Sequence, residues 1–120
     1  MTLPSFRTKD AEDAYQEAKK TGKLRPLSEI PSEIEYKLWR VAINDYPGNA
    51  WFKTHDMLIP KRVFANEDDM TIAEQTELRE IKKDLENQYS VYYENTPSSR
   101  SVLYHYHVHA VLFKERQDGV

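Results

Sequence analysis

Three of the four histidines in the chain stand at alternate positions, His105, His107 and His109, with Tyr106 and Val108 between them. They fall within Ser101–Phe113, a run rich in β-branched and aromatic residues that is bounded upstream by Thr96-Pro97-Ser98-Ser99. Such a run reads as a β-strand. Side chains alternate faces along a strand, so the three imidazoles are expected to share one face. Val102, Tyr104, Tyr106, Val108, Ala110 and Leu112 take the other, which is the expected core face.

A row of imidazoles admits three readings. Chance accumulation on a solvent face is the first, and three histidines in five alternating positions argue against it. The second is a metal site, since imidazole is a common zinc ligand. Same-face neighbours on one strand lie roughly 6.6 Å apart, so the outer pair is separated by roughly 13 Å. Three such rings converge poorly on one ion at bonds of ~2.1 Å, and a metal site would need His55 or a carboxylate from elsewhere. The third reading is nucleophilic chemistry at phosphorus. One imidazole attacks while its neighbours donate hydrogen bonds to phosphoryl oxygens or to the leaving group. Histidine suits this work because both of its protonation states are accessible near neutral pH. With only three glycines in the chain there is no glycine-rich phosphate loop, so side chains and exposed amides must bind any phosphate.

The elements around this row follow from composition and pattern. At 120 residues one domain is expected, long enough to bury roughly two-thirds of its unfolded surface. The net charge of −3, with no long block of one sign, gives no electrostatic case for a nucleic-acid polymer or a membrane as partner. The absence of cysteine removes disulfides, thiolate ligands and a cysteine nucleophile. No apolar signal core opens the chain and no run reaches transmembrane length, so a cytoplasmic location is expected.

Residues 10–21 run from acidic to basic and are followed by Gly22, which predicts a short amphipathic helix with a thin stripe of Ala11, Ala14, Tyr15 and Ala18. This helix is expected to pack weakly, open to a partner subunit. Residues 23–32, with Pro26 and Pro31, read as a connector. Strands are expected at 35–44, 55–60 and 90–94, the second stopping at Pro60 because proline lacks an N–H. Thr71 and Glu74 form a capping box at the head of a helix running to about Gln88, with Leu78, Ile81 and Leu85 on one face. The short turn 95–100 makes the last two strands an antiparallel hairpin. The expected fold class is α+β, a mostly antiparallel sheet with a capped helix packed on one face and an additional N-terminal helix. Residues 1–33 form the N-terminal helix and connector, 34–113 the domain, and 114–120 a polar tail. Trp39 and Trp51 read as packing residues, Lys61 and Arg62 as a solvated pair, and one of Tyr92 and Tyr93 as core.

His105-Tyr106-His107-Val108-His109-Ala110-Val111 resembles the His-φ-His-φ-His-φ-φ signature of the histidine triad (HIT) superfamily. Asn44-Asp45-Tyr46-Pro47, followed by the stretch from Thr54-His55 to Pro60-Lys61-Arg62, is similar to the family's upstream block. Together these features cover about Tyr36 to Phe113. The resemblance implies a homodimeric nucleotide hydrolase or transferase that cleaves a P–O or P–N bond at an α-phosphate through a covalent nucleotidyl-histidine. Nucleoside phosphoramidates and dinucleoside polyphosphates are the implied substrate types, with no metal or other cofactor. It makes His107 the nucleophile, with His105 and His109 positioning and polarising the phosphate and His109 helping to fix the tautomer of His107. It places Asn44 at the ribose, Ser101 at a phosphate or leaving group, and Asn95 and His55 near the site. A nucleotide-binding module of the same fold with little turnover, or a histidine-based metal-binding protein, remain as alternatives. Val63 stands where many members carry histidine, four residues rather than three carry Ser101 to His105, and the loop before His55 is longer. The resemblance therefore speaks to the α-phosphate and leaves the leaving group open.

Overall fold

The computed structural model describes residues 5–115. Five strands and two helices build an α+β fold. Helix α1 spans Lys9–Lys20 and helix α2 spans Ile72–Asp84. The strands are β1 Ser32–Glu35, β2 Trp39–Ile43, β3 Phe52–Pro60, β4 Val91–Tyr93 and β5 Val108–Phe113. They form one antiparallel sheet in the order β1-β2-β3-β5-β4.

The sheet is buried on both faces. One face carries Trp39, Val41, Leu58, Val108 and Ala110, which pack with Leu78 and Ile81 of α2 and with Phe64, Met70, Leu85 and Tyr106. Helix α2 begins where the capping box placed it: Thr71 accepts from Glu74 N–H at 3.1 Å, and Glu74 accepts from Thr71 N–H at 2.8 Å. Arg62 donates twice to the Glu74 carboxylate. The opposite face carries Ala42, Met57 and Ile59, covered by Leu27 and Ile30 of the connector. Arg40 fastens that cover by donating to the carbonyls of Leu27 and Ile30.

Four expectations need correction. In place of one strand at 35–44 there are two, the edge strand β1 that begins at the end of the connector and the shorter β2, joined by a turn at 36–38. The predicted second strand starts earlier, at Phe52, and it does end at Pro60. Helix α2 stops at Asp84 with Leu85 as its C-cap, not near Gln88. Most importantly, the histidine run is a strand only from Val108 onward, so Tyr104 stands exposed instead of lying on a core face.

The last departure has a backbone cause. Lys61 N–H donates to Leu38 O, which turns the backbone edge of Pro60 away from β2 and toward β5. Proline has no N–H to offer there. The β3–β5 ladder ends at Leu58↔Val108, and Tyr106 N–H finds Phe64 O at 2.7 Å instead.

Helix α1 is capped by Thr8, and Gly22 just beyond it adopts φ 71°, the left-handed conformation that glycine tolerates. Its Tyr15 and Ala18 are buried, so this thin stripe packs onto the chain's own site face. Of the predicted tail, residues 116–120 lie outside the described residues, as do residues 1–4 of the predicted N-terminal region.

Glu77 on α2 accepts from Leu38 N–H at 2.8 Å and Trp39 N–H at 3.0 Å, tying the helix to the β1–β2 turn. Glu77→Ala should lower stability by ~2 kcal/mol, the scale of hydrogen bonds to a charged acceptor. Urea denaturation should show the midpoint fall at unchanged slope, with Glu77→Gln losing less.

Candidate active site

A cavity of about 710 Å³ opens on the sheet face opposite α2. Asn44, His55, Asn95, Ser101, His107 and His109 all line it, so six of the seven residues singled out in the sequence meet at one place. His105 does not line it. Its ring is 2% exposed, and its Nε2–H donates to Pro60 O at 3.0 Å. That carbonyl was left unpaired by the early end of the β3–β5 ladder, and His105 satisfies it. The ring expected to polarise a phosphate is thus turned to a main-chain carbonyl and stands apart from the cavity where the other six residues meet. Burial pushes its basicity below the ordinary imidazole value.

His105 still contributes through its backbone. Its carbonyl accepts from His107 Nδ1–H at 3.0 Å. A carbonyl can only accept, so neutral His107 carries its proton on Nδ1 and its lone pair on Nε2. Burial, the largest influence, holds His107 below the usual imidazole range despite the opposing pull of that carbonyl. Nε2 has no hydrogen-bond partner among the described residues. The tautomer of His107 is thus fixed by a main-chain carbonyl, where the resemblance implied the ring of His109. The two rings do meet, edge-on at 4.9 Å between centroids.

A second chain of bonds fixes the other two imidazoles. Gly48 N–H donates to His55 Nδ1 at 2.8 Å. His55 must then hold its proton on Nε2, which lies 2.8 Å from His109 Nδ1 and donates to it. His109 is left with its proton on Nε2. Both rings are neutral: desolvation, reinforced by Arg7 and then His107, pushes His55 down to about 4. Desolvation, followed by His107, His55 and Arg7, lowers His109 to about 2. The approach of Gly48 depends on its lack of a side chain, since a Cβ there would sit 2.6 Å from Phe6 Cβ and 2.7 Å from Phe52 Cδ2.

Asn44 follows β2. Its Oδ1 accepts from Tyr46 N–H at 2.8 Å, while its Nδ2 stands 3.4 Å from His55 Nε2. With His55 protonated on Nε2 that contact is donor against donor, so the Asn44 amide keeps a donor for a ligand. Asn95 and Ser101 make no side-chain hydrogen bond among the described residues and face the same cavity.

Sequence reading missed two contributors. The N-terminal segment forms one wall: Phe6, Arg7, Tyr15 and Leu24 all line the cavity. Arg7 is held by Tyr46 O at 2.8 Å and Glu12 at 3.0 Å, with its guanidinium over Tyr15. Tyr93 is the other. It pairs directly across from His109, and the two rings stack at 4.6 Å with 11° between planes. Alternation within the predicted hairpin was the available signal, since Tyr92 turns to α2, where its hydroxyl donates to Lys82 O. Trp39 is buried core, whereas Trp51 is 62% exposed at the cavity rim. Lys61 and Arg62 are outside the cavity lining.

Among the described residues no group of three or more His, Asp or Glu side chains is arranged to hold a metal ion. No described helix is long and apolar enough to cross a membrane. Comparison of the sequence with protein-family models and with curated proteins gives no match.

The imidazoles set a pH dependence whose sign can be worked out. A histidine lowered from 6.5 to about 4 in the folded chain stays neutral there while the unfolded chain takes up a proton. Stability is therefore full above pH 6.5 and is lost as pH falls toward 4, with His109 extending the loss further. Thermal melts between pH 7 and 4 should show this decline, and His55→Gln should make it shallower by about one proton.

Proposed function

We propose that the chain is a nucleotide hydrolase or transferase of histidine-triad type that acts at an α-phosphate through a nucleotidyl-His107 intermediate. The observation that carries the reading is the neutral His107 ring, tied at Nδ1 to the His105 carbonyl, with Nε2 unpartnered beside a cavity of nucleotide size. A half-buried imidazole fixed in that tautomer is a ready nucleophile, needing no base to remove a proton first.

His107 Nε2 attacks the α-phosphorus and forms a P–N bond. The P–O or P–N bond to the leaving group breaks, and the leaving group departs with the bonding pair into the open cavity, where water supplies any proton it needs. Charge that develops on the ring is opposed at Nδ1 by the His105 carbonyl. His109 presents an Nε2–H as donor toward the phosphoryl oxygens, the kind of fixed dipole that stabilises developing negative charge. Because His109 and His55 are both neutral, they lend a hydrogen bond and no net proton. Water, or an acceptor hydroxyl in the transferase case, then attacks phosphorus and loses its proton to solvent, while the P–N bond breaks with its electron pair returning to Nε2, which restores neutral His107. Asn44 binds the ribose through its free amide donor, and Ser101 and Asn95 meet the phosphate or the leaving group.

His107→Ala should lose turnover on the order of 10³-fold or more while keeping its fold. Assays with an adenosine phosphoramidate and a dinucleoside polyphosphate test this. Rapid quench at neutral to alkaline pH, followed by peptide mapping, should place a labelled nucleotidyl group on His107. A label on His105 or Ser101, or near-normal turnover of His107→Ala, would overturn the proposal. Activity abolished by a chelator and restored by zinc would favour the metal reading instead.

Asn44→Ala should mainly raise KM, since a ribose contact remote from phosphorus stabilises ground and transition states about equally. A lost hydrogen bond of ~1–2 kcal/mol corresponds to roughly a 5- to 30-fold rise. A fall in kcat at constant KM would remove Asn44 from that role.

A further inference from the structure

Among the described residues Tyr93 is the one aromatic ring that lies flat against an imidazole of the site. It stands opposite His109 in the β4–β5 pairing, with 4.6 Å between centroids and 11° between planes. Phe6 and Phe52 brace it from behind, at 5.8 and 6.2 Å. Its hydroxyl makes no hydrogen bond among the described residues. His109 needs such a support. Its only ring hydrogen bond among the described residues is the 2.8 Å contact from His55 to Nδ1. One bond fixes a direction and leaves the ring free to turn about it or to flip and exchange its two nitrogens.

We propose that Tyr93 is a positioning residue of the site: its stacked ring holds the plane of His109, so that Nδ1 stays on His55 and the protonated Nε2 stays available at the cavity. Direct cross-strand neighbours share a face at close range, and offset stacks of this geometry are favourable beyond their buried area. The ring, not the hydroxyl, does this work. Burial raises the phenol to about 12, so the hydroxyl stays protonated and the surroundings of His109 gain no charge from it. The groups that face His109 are then His107 from its own segment, His55 from β3, Arg7 from the N-terminal segment and Tyr93 from β4.

The experiment reads the tautomer directly, by ¹⁵N correlation of the histidine ring nitrogens in the full chain. It rests on the proposed function only for its kinetic arm. In wild type and in Tyr93→Phe, His109 should show one tautomer, protonated on Nε2. In Tyr93→Leu and Tyr93→Met it should show both tautomers in exchange, and its protonation should move up toward the ordinary imidazole range as water reaches the ring. With a nucleotide substrate, kcat should fall roughly 2- to 10-fold in the Leu and Met variants at little-changed KM, and stay near wild type in Phe. A single unshifted tautomer in either aliphatic variant would overturn the proposal. So would a loss in Tyr93→Phe equal to that in Leu, which would assign the role to the hydroxyl. If neither aliphatic variant folds, the Phe variant and wild type still decide, since a mixed tautomer in wild type is incompatible with the proposal. A wild-type chain with one His109 tautomer and no turnover on any nucleotide would instead sink the functional reading alone.

Discussion

The missing N–H of Pro60 is the constraint on which the site rests. A proline in a central strand can be tolerated only where the ladder ends. Here it ends the β3–β5 pairing at Leu58↔Val108 and leaves the Pro60 carbonyl without a ladder partner. The chain before Val108 then leaves the sheet, its Tyr106 N–H turns to Phe64 O, and the His105 ring moves in to satisfy the carbonyl. Only from that irregular backbone can the His105 carbonyl reach back to His107 Nδ1. In a regular strand, carbonyls point sideways into the ladder and would not be free for the side chain two residues on. The disturbance of the strand and the orientation of the nucleophile candidate thus have one cause.

The sheet must carry this arrangement with both faces covered. On the α2 face the covering is an apolar core of the usual kind, strengthened by polar ties such as Trp39 Nε1–H to the Glu74 carbonyl at 2.9 Å. On the other face the covering is thin, made of the connector and α1, and it encloses the cavity. Arg40 is buried there with no carboxylate partner among the described residues, donating to the Leu27 and Ile30 carbonyls and to Ser32 Oγ. A buried guanidinium is costly unless its donors are met, and these acceptors engage both of its terminal nitrogens. The N-terminal segment is joined to the 44–50 loop by Ala50 N–H to Phe6 O, Thr8 N–H to Asn49 Oδ1, and the Arg25–Asp45 pair. That loop carries Asn44 and Gly48, so the wall and the site's hydrogen bonding are mechanically one piece.

Much of this was legible from residue order, and the exceptions share a character. Capping at Thr71 and Glu74, the charge gradient of α1 and the stop at Pro60 are local signals, and each feature stands where its signal stood. The last two strands do pair antiparallel, but across the long stretch 94–107 and not the short turn expected at 95–100. The grouping of His55, Asn44, Ser101 and Asn95 with His107 and His109 was implied by the family resemblance, and one cavity is lined by all six. What was not legible is what depends on a partner far along the chain. The run 101–107 has the composition of a strand and leaves the sheet because of a proline some forty residues earlier. Strand β1 is a four-residue edge of mostly polar residues with a bulge, too weak a pattern to separate from a connector. Tyr93 carries no motif, and only its register against His109 gives it meaning.

The protonation pattern of the site is set by groups that cannot titrate. Gly48 N–H can only donate, and the carbonyls of Pro60 and His105 can only accept. Each neutral imidazole has one donor and one acceptor, so these three main-chain groups determine all four rings by elimination. His105 and His107 donate hydrogen bonds from their ring N–H groups to carbonyls. His55 receives from Gly48 and passes its own proton's bond to His109. Two acceptors are left over: His105 Nδ1, buried without a partner, and His107 Nε2, beside the cavity. One ring N–H is also left over, on His109. Desolvation keeps the set neutral by disfavouring every charged alternative. The two adjacent rings that line the cavity therefore hold one free lone pair and one free donor between them, an asymmetry the backbone imposes.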